Sequence, residues 1–264
     1  MASQLIDIFF ASLHIILDMD KLTDNINKDN WQQRTSLLLG DERMQKLHSS
    51  HVLVVGTGGV GGYAAEMICR AGIGHMTIVD ADRISETNIN RQIIALHSNI
   101  DKVKVEVMGQ RLKDINPELD LTCINGFLSE ENIPKLLDEN HFDFIVDCID
   151  TITPKLCLIT SALDRKIKII SSMGAGAKTD ISKIAVTDIS KTFNCGLSKT
   201  VRKRLHAMGY KGCKFPAVFS AEPADMNAVI KVEGERNKKT TAGTISYMPA
   251  VFGCYLAEYV IKQL

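Results

Sequence analysis

Between His51 and Gly72 the chain reads HVLVVGTGGVGGYAAEMICRAG, an apolar run that meets a cluster of glycines. Gly56, Gly58 and Gly61 match G-x-G-x-x-G, with Gly59 and Gly62 beside them. Such glycines allow a tight turn, bring backbone N–H groups close to phosphate, and let a helix lie near the strand. Asp80 closes the next apolar run, 24 residues after Gly56, where a carboxylate can grip ribose hydroxyls, and Asp82 completes the segment VDAD. Asn88, Arg91 and Lys104 follow. A dinucleotide needs little side-chain charge near its phosphates, because the helix N-terminus supplies it. A triphosphate carries more charge, and its cleavage needs that charge stabilised. An Asn, an Arg and a Lys on one rim therefore favour ATP over a nicotinamide cofactor. Asp150, at the end of FIVDCID, is available to hold Mg²⁺ bridging the phosphates.

The elements that must position these residues alternate. HVLVVG, HMTIVDAD, DLTCINGF, FDFIVDCID and IKIISSMG read as strands. Helical periods lie between them: about Gly59 to Arg70, DKVKVEVMGQRLKDINP, SEENIPKLLDEN opened by Ser129, and TPKLCLITSALDRK with Thr153 as cap and Pro154 in the first turn. Alternating β and α with continuous apolar strands predicts an α/β fold: a Rossmann-like, doubly wound, mostly parallel sheet. Right-handed crossovers then gather the loops after Val55, Val79 and Ile149 on one rim, where ligands bind. After Gly176 the rhythm breaks. KIAVTDIS and NAVIKVEG read as strands without a regular helix between them, extending the sheet or forming an antiparallel annex. Pro249 fits the first turn of a buried C-terminal helix with Val251, Tyr255, Leu256, Tyr259 and Val260 at helical spacing.

The chain has 264 residues and a formal net charge of zero, so bulk charge names no partner. Seven cysteines without a CxxC pair read as mostly buried thiols in a reducing compartment. The apolar run Leu5–Leu17 carries Asp7, is short for a membrane span, and lacks the flanks of a secretory signal. It reads as a packed helix, a segment before a true start at Met19, or a membrane-surface anchor. No stable membrane span is expected, and the expected location is cytoplasmic, with peripheral or organelle-membrane association left open. The expected organisation is an extension over 1–28 and one domain over 29–264, with a nucleotide-binding half at 48–176 and a substrate-binding extension at 177–264.

That extension holds a strip without an acid from Ile189 to Ala221. Lys191, Lys199, Arg202, Lys203, Arg204, Lys211 and Lys214 are basic there, with Phe193, His206, Tyr210 and Phe215 among them. Such a strip suits RNA phosphates, with aromatics available for stacking. A solvated helix with Val201, Leu205 and Met208 on one face is the competing reading.

The segments RTSLLLG, VVGTGGVGG, VDAD, NINRQ, KVKVE and DCID resemble those of the ubiquitin-activating-enzyme-like adenylyltransferases, from about Gln33 to the C-terminus. These enzymes adenylate a carboxylate with MgATP. The resemblance implies that Gly58 and Gly59 cradle phosphate and Asp80 binds ribose. It also implies that Asn88, Arg91 and Lys104 contact the phosphates and Asp150 orients the metal or the adenine side. By itself Arg34 reads as a surface charge; by resemblance it reaches the neighbouring subunit's site, which implies a homodimer. The catalytic set so implied is Arg91, Asp150, Arg34 and Lys104. Within the family, NINRQIIAL, DTITPK, VTDISKTFNCGLSKTVRKRL and VFSAE are similar to segments of the tRNA threonylcarbamoyladenosine dehydratases.

That likeness makes tRNA the expected partner. Lys199, Arg202, Lys203, Arg204 and Lys211 are its expected contacts, and Lys155 would steer a carboxylate or phosphate. Pro216 and Ala217 stand where some of these relatives carry a cysteine, with Cys213 displaced. A sulfur-accepting role, and the cysteine-desulfurase or sulfur-transfer partner it would need, is the weaker expectation. Three other functions stay open at this point: an adenylyltransferase for a Gly-Gly-tailed carrier protein, a nicotinamide-dependent oxidoreductase, and a non-catalytic RNA-binding scaffold.

Overall fold

The computed structural model describes residues 31–231 and 240–264. The run Leu5–Leu17, Met19 and the end of NAVIKVEG lie outside the described residues. The chain divides into a unit ending at Met44 and a unit covering Gln45–Leu264. In the first unit, helix α1 (Gln33–Leu39) ends at Gly40, whose φ of +79° suits glycine and whose N–H returns to the Ser36 carbonyl. Arg34, Leu37 and Leu38 are exposed on α1. Helix α2 (Asp41–Ser49) starts in this unit and ends in the next.

The second unit carries a seven-stranded sheet formed by β1 (His51–Val55), β2 (His75–Asp80), β3 (Asp120–Asn125), β4 (Phe144–Asp147), β5 (Lys168–Ser172), β6 (Ile184–Asp188) and β7 (Pro216–Ser220). Its order is β3-β2-β1-β4-β5-β7-β6, parallel except for β6 against β7. The order reverses between β1 and β4, and the crevice beyond the ends of those strands is where a doubly wound sheet takes its ligand. Strands β1, β2 and β4 are buried almost throughout because helices cover both faces, whereas β3 at the edge is largely exposed.

Helix α3 (Gly61–Arg70) packs on both α4 (Lys104–Ile115) and the C-terminal helix. Leu53, Val55, Ile145 and Ile169 join one apolar core with side chains of α5 (Asn132–Glu139), α6 (Ile152–Asp164) and α7 (Gly196–Ala207). A separate two-stranded ribbon pairs β8 (Val229–Lys231) with β9 (Thr240–Ala242). The C-terminal helix α8 (Tyr247–Gln263) buries Met248, Phe252, Leu256 and Val260, a stripe at i, i+4 spacing along one face, and Gly253 lets it lie directly on α3. No helix of the described residues is long and apolar enough to cross a membrane.

Several local expectations are corrected. The first glycine-rich helix starts at Gly61, since the residues before it form the turn. Thr151 holds the N-cap position of helix α6 without a side-chain capping bond, so Thr153 lies inside the helix. The segment after Gly176 does contain a regular helix, α7, and the short run PAVFS is a sheet strand. KIAVTDIS supplies β6 of the main sheet, while the visible part of NAVIKVEG belongs to the separate ribbon. Of the cysteines only Cys69 and Cys195 are buried; Cys123 and Cys254 are exposed and the other three lie between.

At the strand N-termini, away from the ligand rim, His51 and His75 stand with ring centroids 6.0 Å apart. His51 Nε2 lies 2.9 Å from Thr77 Oγ1, the His51 N–H donates to Asp143, and His75 Nδ1 lies 3.0 Å from Asp120. Burial, then the neighbouring His75, lowers the His51 pKa against the opposing pull of Asp120 and Asp143. A base whose folded pKa is depressed binds fewer protons folded than unfolded. Its contribution is full above its unfolded pKa of about 6.5 and is lost as pH falls from there toward the folded value. Thermal melts between neutral pH and pH 5 should show this loss, and His51→Gln should flatten that part of the profile.

Candidate nucleotide and RNA site

Val55 ends β1, and the chain turns at Gly56 with φ of +89°. The Gly56 N–H donates to the Val79 carbonyl at 2.8 Å, and a Cβ there would meet the Cys148 carbonyl oxygen at 3.1 Å. At Gly61 a Cβ would overlap the Gly56 carbonyl oxygen, so no other residue fits this turn unchanged. Gly58 would meet only the Gln92 amide, at 3.6 Å, and Gly59 lies against Arg91 and Pro249. Helix α3 follows with no side-chain cap at Val60, although its Gly62 N–H already donates to the Gly58 carbonyl at 3.0 Å.

Asp80 is fixed before any ligand arrives. Its Oδ2 accepts from the Thr57 N–H at 2.7 Å and hydroxyl at 3.1 Å, and its Oδ1 accepts from the Asp82 N–H at 2.9 Å. A carboxylate offers about four acceptor positions, so capacity for a ribose hydroxyl remains. Lys104 opens α4 nearly buried, its ammonium 2.8 Å from Asp82 Oδ2, so it meets the rim as half of an ion pair. Asn88 caps a short turn, its Oδ1 accepting from the Ser85 N–H. Arg91 is oriented by the Thr87 carbonyl at 2.9 Å and Asn90 Oδ1 at 2.8 Å, and Asn90 in turn donates to the Thr244 carbonyl.

Gln92 is the rim residue that sequence reasoning passed over. It is buried beside Gly58, and its Oε1, an acceptor, has no hydrogen-bond partner among the described residues, which leaves it open to a donor. The motif NINRQ contained it, but nothing in a glutamine's type announces burial.

The acid that ends β4 is Asp147, wholly buried; Asp150 lies three residues on and is exposed on the rim. Lys155 is also wholly buried, 2.8 Å from Asp147 Oδ2. Its expected contact with tRNA phosphate or substrate carboxylate is therefore corrected: solvent does not reach it. An exposed Asp150 fits Mg²⁺, which takes one or two carboxylates and fills its remaining positions with phosphate and water oxygens.

On α7, Lys199, Lys203 and Arg204 are exposed, as is Lys211 just beyond it. Arg202 turns inward, its guanidinium donating to the Thr192 hydroxyl, to Ser198 Oγ at 3.3 Å and to the Ile189 carbonyl. It is partly buried and braces α7 against the segment before it. Val201 and Leu205 form the buried face, while Met208 is exposed. Phe193 is exposed, its ring centroid 5.4 Å from that of Phe219 in a T-shaped pair. Desolvation by the surrounding protein raises the thiol pKa of Cys213, as it does for Cys123, Cys157 and Cys254, and lifts that of the buried Cys69 to about 11. Thiols so raised are poor nucleophiles near neutral pH.

A doubly wound sheet with a glycine turn, a ribose-side acid and a cationic rim defines a nucleotide-binding α/β protein. The chain belongs to the ThiF family, which it matches over residues 32–264. It is similar to the tRNA threonylcarbamoyladenosine dehydratase of Escherichia coli strain K12, 39% identical over 255 residues, covering 89% of this chain and 95% of that protein. The protein of the same name from Bacillus subtilis strain 168 is 36% identical over 238 residues, covering 88% and 93%. The crystal structure of the E. coli dehydratase in complex with ATP superimposes with a TM-score of 0.80 at 33% identity, covering 89% of this chain and 95% of that one.

Proposed function

We propose that this chain is an ATP-dependent tRNA threonylcarbamoyladenosine dehydratase. The reaction it performs begins with the threonyl carboxylate of the modified adenosine beside the anticodon. That carboxylate takes AMP from ATP and pyrophosphate leaves. The neighbouring carbamoyl group then attacks the activated carbonyl carbon, AMP departs, and a ring closes with net loss of one water. The nucleophile is already intramolecular, so the protein must chiefly hold and orient. The observation that carries this reading is the extent of the likeness: it runs through the nucleotide half and the α7 extension alike, over nearly the full length of the dehydratase relatives.

The geometry supports an assignment of roles. Asp80, pre-set by Thr57 and Asp82, receives the ribose; the Gly56–Gly61 turn and the uncapped start of α3 receive phosphate oxygens. Arg91 and Lys104 balance charge that develops as pyrophosphate departs. Bound Mg²⁺ would neutralise phosphate charge, with Asp150 as the residue that orients it. Arg34 acts from the other subunit of a homodimer, and the working location is cytoplasmic. The 48–176 half serves ATP and the 177–264 extension serves tRNA. A cysteine-desulfurase or sulfur-transfer partner has no step to supply here, since ring closure needs no thiol.

The deciding experiment incubates purified protein with MgATP and tRNA bearing threonylcarbamoyladenosine, followed by mass analysis of the digested nucleosides. Loss of one water with release of AMP is the expected result. An unchanged nucleoside, with ATP–pyrophosphate exchange only on a Gly-Gly-tailed carrier, would replace this reading with a carrier-protein adenylyltransferase.

Replacing Lys199, Lys203, Arg204 and Lys211 together by alanine should weaken tRNA binding and lower the salt slope by about 0.7–0.9 for each phosphate that is no longer neutralised. Arg202→Ala should instead lower thermal stability. A salt slope equal to that of the unaltered protein would remove α7 from the RNA surface.

A further inference from the structure

Lys155, Asp147 and Ser171 are wholly buried and lie on three elements: the first turns of α6, the end of β4, and β5. Asp147 and Ser171 are register partners across the β4–β5 ladder. Asp147 Oδ2 accepts from Ser171 Oγ at 2.6 Å and from Lys155 Nζ at 2.8 Å. The same group then takes hold of one peptide unit on each side of Ile149. Asp147 Oδ1 accepts from the Ile149 N–H at 3.1 Å, and Lys155 Nζ donates to the Ile149 carbonyl at 2.8 Å. The next residue is Asp150. On the other side of this loop, the Cys148 N–H donates to the Val55 carbonyl at 2.9 Å, and the Cys148 carbonyl abuts Gly56.

We propose that Asp147, Lys155 and Ser171 are positioning residues: a buried latch that sets the loop Cys148–Asp150 against the glycine turn and so places the Asp150 carboxylate toward nucleotide-bound Mg²⁺. This rests on the adenylation reading of Asp150. The latch touches no substrate, since none of its three side chains reaches solvent. A buried ion pair also adds little net stability over an apolar pair of the same shape, because desolvation of both charges offsets their attraction. What the pair supplies that apolar residues could not is a directional hold on the Ile149 backbone. The loop needs such a hold, because it bears a carboxylate whose placement matters and contains no regular hydrogen-bonded structure of its own.

The test compares Lys155→Met, the double variant Asp147→Asn/Lys155→Met, Asp150→Ala and the unaltered protein. Thermal melting and calorimetric titration with ATP, with and without Mg²⁺, are the readouts. Lys155→Met strands a buried carboxylate and should melt earlier. The double variant carries neither charge and should regain most of the melting temperature. It should nevertheless lose about tenfold or more of the Mg²⁺-dependent gain in ATP affinity, the scale on which groups that orient metal ligands act. Its affinity for Mg²⁺-free ATP should stay that of the unaltered protein. A double variant that keeps the full Mg²⁺ gain overturns the latch, and so does one that no longer melts cooperatively, because the network would then serve the core. If Asp150→Ala itself keeps the Mg²⁺ gain, the reading of Asp150 fails first and the latch fails with it.

Discussion

Gly61→Ala is expected to lose ATP binding and to melt roughly 6–12 °C lower, the shift that roughly 3 kcal/mol makes in a domain of this size. The physical reason is local and severe. A Cβ at Gly61 would overlap the carbonyl oxygen of Gly56, and would also lie 3.1 Å from the Cys148 Cβ. Backbone atoms cannot step aside as the end of a lysine can. Gly56 is itself held at φ +89° by its bond to Val79, so the turn has to open. Opening it moves the N–H groups at the start of α3 away from any phosphate. Gly58→Ala is the paired control: its Cβ would make only ordinary contact with the Gln92 amide at 3.6 Å. Melting and ATP titration on both variants check the claim. Equal melting temperatures of the two would mean that the turn is not under the steric constraint described.

Asp150→Ala should cut AMP formation about 10²-fold or more while leaving tRNA affinity and the fold nearly intact. Asp150 is exposed on the rim beyond β4 and belongs to no core cluster, so its removal leaves no cavity. Single-turnover AMP release with saturating tRNA measures the first quantity, and filter binding at matched salt the second. Retained turnover would take Asp150 out of the reaction. Mixing Asp150→Ala with Arg34→Ala subunits should return part of the activity in verified heterodimers, because one of the two mixed sites then carries both intact residues.

The alternation of strand and helix was legible because its signal is short-range. HVLVV, HMTIVD and FIVD are continuous apolar runs, and DKVKVEVMGQRLKDI keeps a helical period. The PAVFS strand was not legible as a strand: it is a short run inside a basic segment, and its place beside β5 rests on pairing with Ser171 and Ser172, far back along the chain. The helix α7 was obscured for a related reason. Only Val201 and Leu205 mark its apolar face fully, and Met208, which extends the pattern on paper, stays in solvent.

The sequence by itself determined the parts of this protein that depend on covalent spacing and residue type. The glycine turn, the acid ending β2, the cations after it and the acid-free strip are set by neighbours along the chain, so their chemistry can be read there. Tertiary structure decided which of those charges face outward. Lys155 and Lys199 are both lysines near a helix start, yet one is sealed against Asp147 and the other is exposed. Arg202 and Lys203 are adjacent, yet one braces the fold and the other meets solvent. Burial of a charge is settled by what packs over it and by whether a partner on another element can balance it, and both belong to contacts distant in sequence.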